Sequence, residues 1–179
     1  MTILLYIVLA LVGIIALFLI VGFFAKKGYF IERSVTINKP KHEVFNYIKL
    51  LRNQDYYSKW VMKDPGMKKD FRGTDGTEGF VYGWNSTDKN AGEGEMEIKK
   101  ITEGERMDAE IRFVRPMSGV SKVVFITTTN GNQTKTTWSF ESEMKYPLNA
   151  IMLIIPLEKM LGRDMEESLA LLKKNLEEN

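Results

Sequence analysis

The chain alternates apolar and polar positions over much of its length. In "GFVYGWNSTDKNAGEGEMEI", residues 79–98, Phe80, Tyr82 and Trp84 alternate with Val81, Gly83 and Asn85, and Met96 and Ile98 alternate with Glu95 and Glu97. A period of two predicts strands with one apolar face and one small or charged face. From residue 68 to 146 the pattern is strand after strand. "TEGE" at 102–105 separates two of them and predicts a hairpin. With Thr102 opposite Glu105, Met96 faces Ile111, Ile98 faces Ala109 and Gly94 faces Phe113. On the other side Glu95 meets Arg112 and Lys99 meets Asp108, while Glu97 against Glu110 is an unfavourable pair. A slip of one residue would pair inner with outer positions, so the register is well specified. "TNGNQ" predicts a second hairpin that turns at Asn130-Gly131 or at Gly131-Asn132. Either corner puts Val123, Phe125 and Thr127 on the face of Trp138, Phe140 and Met144.

Around these strands the period changes. Residues 30–37 read as a first strand, and Pro40 suits the first turn of a helix that places Val44, Phe45, Ile48 and Leu51 on one face. Residues 52–60 read as a second short helix, followed by a turn at "KDPG". After Pro147, Leu157, Met160, Leu161, Met165, Leu169, Leu172 and Leu176 recur at threes and fours. This is a long amphipathic helix, which Pro156 bends or begins. The economical packing lays it across the apolar face of a curved antiparallel sheet, an α+β architecture.

The N-terminal run has no period at all. Residues 3–25, "ILLYIVLALVGIIALFLIVGFFA", carry no charge. As a helix they measure about 34 Å, enough to cross a hydrocarbon core of about 30 Å. The run is too long for a cleaved signal sequence and lacks a basic region before it. Lys26, Lys27, Arg33, Lys39 and Lys41 follow it, which predicts a single-pass membrane protein with its C-terminal part in the cytoplasm. The expected division is an anchor with a short basic flank at 1–29 and one domain at 30–179.

Composition narrows the function. There are 25 Lys+Arg against 23 Asp+Glu, interspersed, so no basic stripe points to nucleic acid. The absence of cysteine excludes disulfides, thiolate catalysis and thiolate metal sites. His42 is the only histidine and lies beside Lys41 and Glu43 in a surface helix, without a nucleophile or metal set around it. No sequence motif of a hydrolase, zinc protease or phosphate-binding loop occurs. Glu93, Glu95 and Glu97 share a strand face that the register turns outward, so they are not a catalytic carboxylate pair.

Four stretches together carry a resemblance: "IERSVTINKPKHEVFNYI", "WVMKDP", "GTEGFVYGWNS" with "GEGEMEI", and "MLGRDMEESLALLKKNLEE". In their order and spacing, residues 30–179 resemble the START-like (SRPBCC) superfamily, of the polyketide cyclase/dehydrase and lipid transport type. The resemblance implies a helix-grip fold, with six or seven strands around the C-terminal helix and an apolar cavity between them. No cofactor and no metal is expected. Read with the alternation, the resemblance makes Tyr57, Trp60, Phe80, Tyr82, Trp84, Met96, Phe113, Phe125, Trp138, Phe140 and Met160 the candidate ligand-binding residues. Met144 and Met165 add adaptable lining, and Arg112 and Arg115 are candidates to anchor an acidic head group at the cavity mouth. The expected partners are a hydrophobic small molecule or lipid, and the membrane through residues 3–25. Two other classes stay open. A protein-interaction module of the chaperone-activator type would have a filled interior. An enzyme of cyclase or hydrolase type would need inward acid or base groups, such as Tyr57, Tyr82 or a buried Asp, and the sequence shows no convincing pair.

Overall fold

The structure, a computed structural model, describes residues 2–88 and 91–178. It opens with α1 (Thr2–Phe24), 23 residues long and apolar around its whole circumference, of which only Gly22 is buried. Next come β1 (Gly28–Ile37), α2 (Lys41–Ile48), a 3-10 helix (Leu51–Tyr56) and α3 (Lys59–Met62). The strands β2 (Lys68–Arg72), β3 (Val81–Asn85), β4 (Glu93–Thr102), β5 (Arg106–Arg115), β6 (Gly119–Asn130) and β7 (Gln133–Glu143) follow. A second 3-10 helix (Leu148–Leu153) leads into α4 (Leu157–Glu178). The seven strands form one antiparallel sheet in the order β1-β7-β6-β5-β4-β3-β2.

The expected β4–β5 register holds from Gly94 to Ile98: Gly94 faces Phe113, Glu95 faces Arg112, Met96 faces Ile111, and Ile98 faces Ala109. Nearer the turn it differs. Lys100, not Lys99, opposes Asp108, and Thr102 opposes Arg106 instead of Glu105. Glu105 spends its amide on the carbonyl of Thr102 to close the turn, so the paired ends fall one residue further out. Gly104 supplies the positive φ of +73° that this turn needs. A bulge after Ile98 absorbs the extra residue and keeps Ile101 and Met107 paired on the apolar side. The second hairpin turns at Gly131-Asn132, with Asn130 paired to Gln133. Gly131 has φ +62° and Asn132 does not share the positive sign, the arrangement of a II′ turn with glycine first.

Arg112 resolves the like-charge pair. Its guanidinium reaches Glu95 at 2.8 Å, Glu97 at 2.8 Å and Glu110 at 2.7 Å across the outer face. Glu95 also pairs with Arg72. Burial alone would raise the Glu95 carboxyl, but the two arginines outweigh it and hold it below the usual range. Arg115 is likewise engaged outside, with Glu93 at 2.8 Å and Asn85 at 2.7 Å. Both arginines are therefore outer-face ion-pair partners rather than anchors at a cavity mouth.

Helix α4 buries Gly162, Met165, Ser168, Leu169 and Leu172. Gly162 lies against the Arg33 guanidinium of β1, and Arg33 reaches on to Glu166 at 2.5 Å. Ser168 accepts the Lys59 amide at 3.0 Å, and Asn175 donates to the Tyr56 carbonyl at 2.8 Å. The helix is thus fixed to β1 on one side and to the α2–β2 connection on the other.

The strand pairing also orders the interior by height. Gly28 pairs with Glu143, Ser121 with Ser142, Phe113 with Gly119, Glu93 with Arg115 and Lys68 with Asn85, so these positions share the end of the sheet that adjoins α1. The hairpin turns at 103–105 and 131–132 lie at the far end. Toward the far end the interior is packed by Ile37, Val44, Phe45, Ile48, Leu51, Ile98, Met107, Phe125, Leu169 and Leu172, each at most 1% exposed. The α1 end is different.

Candidate ligand cavity

A cavity of about 220 Å³ opens between the sheet and α4 in the half of the domain that adjoins α1. The strands contribute Tyr29, Tyr82, Trp84, Met96, Ile111, Phe113, Val123, Trp138 and Phe140. Leu161 and Met165 of α4 form its roof, and Gln54, Ser58, Trp60, Val61 and Met67 of the α2–β2 connection close its side. Ala91 completes the wall at the β3–β4 loop.

Aromatic contacts hold the wall in place. Trp84 meets Phe113 edge-on with ring centroids 6.1 Å apart, and Trp60 meets Trp138 in the same way at 5.8 Å. Tyr29 lies 6.0 Å from Phe140. The two edge-to-face tryptophan pairs are favourable beyond the area they bury. Trp84 also donates its indole N–H to the carbonyl of Ala91 at 2.9 Å, which ties the β3–β4 loop to the cavity rim.

Polar groups in the wall are few. Tyr82 donates its hydroxyl to Asp55 Oδ1 at 2.6 Å, and Lys69 holds Asp55 Oδ2 at 2.7 Å. Burial, and then the bond to Asp55, push the Tyr82 phenol well above its ordinary pKa, so it stays protonated. Gln54 Nε2 donates to the thioether of Met96, a weak acceptor, at 3.3 Å. Among the described residues the buried indole N–H of Trp138 has no hydrogen-bond partner. Two donors in an apolar wall are therefore weakly satisfied or unsatisfied, a state that costs free energy.

Of the residues expected from the sequence, Trp60, Tyr82, Trp84, Met96, Phe113, Trp138 and Phe140 surround this cavity. Phe125, Phe80 and Tyr57 do not reach it. Phe125 stacks beneath Trp138 at 4.9 Å, Phe80 stacks on Phe71 at 6.4 Å, and Tyr57 packs beside Tyr47 at 6.3 Å. All three are packing residues of the filled interior. Met160 is on the outside, 56% exposed, because the buried stripe of α4 runs through Gly162, Met165, Leu169 and Leu172. Five residues ahead of Met165 is a step of about 140° around the helix, well off that stripe. Leu161 occupies the position that Met160 was expected to fill. Met144 is not in the wall, whereas Met67 is. His42 is exposed, 4.0 Å from Glu43. The sequence pattern gave no handle on Gln54, Ser58, Val61 or Ala91, which sit in short aperiodic connections. Tyr29 is legible as a strand residue, and the alternation of β1 puts it on the inner face with Ile31 and Ile37.

No family model and no curated protein sequence matches the chain. Solved structures do match its fold. Ara h 8.0201 aligns with a TM-score of 0.60 at 13% identity, over 85% of this chain and 99% of that one. The Aha1 dimer from Colwellia psychrerythraea aligns with a TM-score of 0.58 at 13% identity, over 83% and 96%. DynU16, described as a putative protein in the dynemicin biosynthetic locus, aligns with a TM-score of 0.58 at 14% identity, over 83% of this chain and 47% of that one. A curved seven-stranded antiparallel sheet closed over a long C-terminal helix, preceded by an apolar helix, is thus the architecture here, and the chain has the helix-grip fold of the START-like (SRPBCC) proteins.

Proposed function

We propose that residues 30–179 form a binding domain for one compact hydrophobic or amphipathic molecule, held at a membrane by the anchor in residues 1–29. The observation that carries this reading is the cavity itself, about 220 Å³ of space with an almost wholly apolar and aromatic wall in an otherwise packed interior. Native interiors rarely keep voids larger than a water molecule. The volume exceeds the ~150 Å³ cavity that accepts benzene and falls below the ~300–1,000 Å³ usual for drug-sized ligands. It suits a ring system or a single short chain, not a lipid with two full chains. Trp138 Nε1 and Gln54 Nε2 are donors in need of an acceptor, so a carbonyl, ether or hydroxyl oxygen on the ligand would complete the site.

The energetics favour exchange with a bilayer. Burial of apolar surface is worth about 25 cal/mol per Å² relative to water, but a ligand arriving from lipid has already left water. Net affinity then rests on shape and on one or two hydrogen bonds, and the anchor raises the effective concentration of site and ligand for each other. Lys26 and Lys27, next to α1, support a cytoplasmic placement of the domain.

The enzyme reading finds no support in the wall. Both oxygens of Asp55 are occupied, by Tyr82 and Lys69, and Tyr82 is held as a hydrogen-bond donor rather than a base. The interaction-module reading expects a filled interior, and the cavity counts against it. Native mass spectrometry of the full chain released from mild detergent tests the proposal. A bound compact apolar molecule is expected, and its loss on activation should leave the folded protein. A chain that carries no adduct and also takes up no added apolar compound overturns it.

A further inference from the structure

Asn149, 0% exposed, donates its side-chain amide to the main-chain carbonyls of Gly22 at 2.6 Å and Ala25 at 3.1 Å. Gly22 is in the last turn of α1 and Ala25 directly follows it, where a helix leaves carbonyls without internal partners. Beside this bond, Ala150 packs on Gly22 so closely that a Cβ there would sit 3.3 Å from the Ala150 Cβ and from the Pro147 carbonyl. The 3-10 helix is therefore fixed at the level where α1 ends. From this fixed point the 3-10 helix and the two residues after it expose Leu148, Leu153 (62%), Ile154 (77%) and Ile155. The end of the sheet on the same side exposes Val114, Met117 and Val120 around the β5–β6 connection. Lys26, Lys27, Lys145 and Lys159 are exposed nearby in the chain.

We infer that residues 148–155 are a second membrane contact, an apolar wedge seated in the same leaflet in which α1 ends. This rests on α1 spanning the membrane. A span needs about 20 residues, so one that starts near Thr2 reaches the lipid interface near Gly22, the residue on which the wedge is bolted. The occupant of the wedge surface is then the boundary between head groups and acyl chains, where an apolar face flanked by lysines is favoured. With two contacts instead of one, the domain cannot swivel on its anchor. The α1 end of the sheet, where the cavity lies, faces the lipid, and a groove between residues 24–33 and 149–159 runs beside it. Tyr29 lines both the groove and the cavity.

The chain has no cysteine, so single-cysteine labelling is direct. Full-length protein is reconstituted into phosphatidylcholine/phosphatidylglycerol vesicles with an environment-sensitive fluorophore at Leu11→Cys, Ile154→Cys or Asn132→Cys. Spin-labelled lipids carrying the quencher near the head group or deep in the chains report depth. The expected result is deep quenching at Leu11→Cys, shallow quenching with a blue shift at Ile154→Cys, and neither at Asn132→Cys in the far hairpin. If Leu11→Cys is quenched while Ile154→Cys behaves like Asn132→Cys, the wedge is wrong and the anchor stands. If Leu11→Cys is also unquenched, the anchor and the wedge fall together.

Discussion

Gly94 makes the space that the Trp84 ring fills. A Cβ built on Gly94 would stand 2.8 Å from Trp84 Cζ2 and 2.7 Å from the Arg112 carbonyl. The glycine sits directly across the β3–β4 pair from Trp84, and its missing side chain lets the indole lie flat over β4 and reach the Ala91 carbonyl. Gly94→Ala is expected to push the indole out of the cavity wall. Overpacking of this kind costs about 1–3 kcal/mol, readable by chemical denaturation, with weakened apolar-ligand binding alongside. An unchanged stability and unchanged binding would mean that the ring has another place to go.

Trp84 and Phe125 differ in what surrounds them. Phe125 is 1% exposed and packed on Trp138, so Phe125→Ala should cost the full ~3–5 kcal/mol of a core aromatic truncation. Trp84 has cavity on one side and forgoes contacts there, so Trp84→Ala should cost less. Paired denaturation curves in the same detergent check the order. Equal penalties would place Trp84 in a filled core.

The outer face gives a pH prediction. Burial pulls Glu95 up, but Arg112 and Arg72 hold it below its ordinary value. Glu97 is held down by Lys99 and Arg112. A carboxyl whose folded-state pKa is depressed contributes stability that is fully present above its unfolded value, about 4.3, and is lost as pH falls through the folded value. Stability should therefore drop as pH is lowered from 5 toward 3. Arg112→Gln should flatten that slope, because Glu95 and Glu97 lose the cation they share. The same slope in both proteins would show that the cluster is screened out in solution.

The Tyr82 hydroxyl is a buttress in this account. Tyr82→Phe removes one hydrogen bond to Asp55 but leaves the Lys69 pair, so a loss of about 0.5–1.5 kcal/mol is expected with little change in ligand affinity. A large loss of binding with stability unchanged would instead make Tyr82 a direct ligand contact.

Faces were legible in the sequence and heights were not. Alternation put Phe80, Tyr82 and Trp84 together, and pairing rules put Met96 opposite Ile111, as observed. A period of two says nothing about where along a strand the packing runs out, and so Phe80 and Phe125 were grouped with residues that reach the cavity. The bulge at Lys99 was invisible because both registers keep the apolar face consistent near Met96. Met160 and Leu161 lie three and four residues after Leu157 at the start of α4, so both obey the spacing, yet only the stripe set by Gly162 against Arg33 decides which edge is buried. Gln54, Ser58 and Ala91 belong to connections without a period, and only the folded chain brings them to the wall.

The three tryptophans of the chain, Trp60, Trp84 and Trp138, all line the cavity. Energy transfer from tryptophan to a compact apolar dye, with the full chain in lipid nanodiscs, therefore reports occupancy of this site most directly. The comparison is wild type against Val123→Phe, which fills the cavity from β6 while the bilayer background stays common to both. The account predicts saturable transfer in the wild type and its loss in the variant. It also predicts that Val123→Phe costs less than the ~1–3 kcal/mol of overpacking in a filled core. Transfer that is absent in the wild type, or equally strong in Val123→Phe, would contradict a ligand-sized cavity between the sheet and α4.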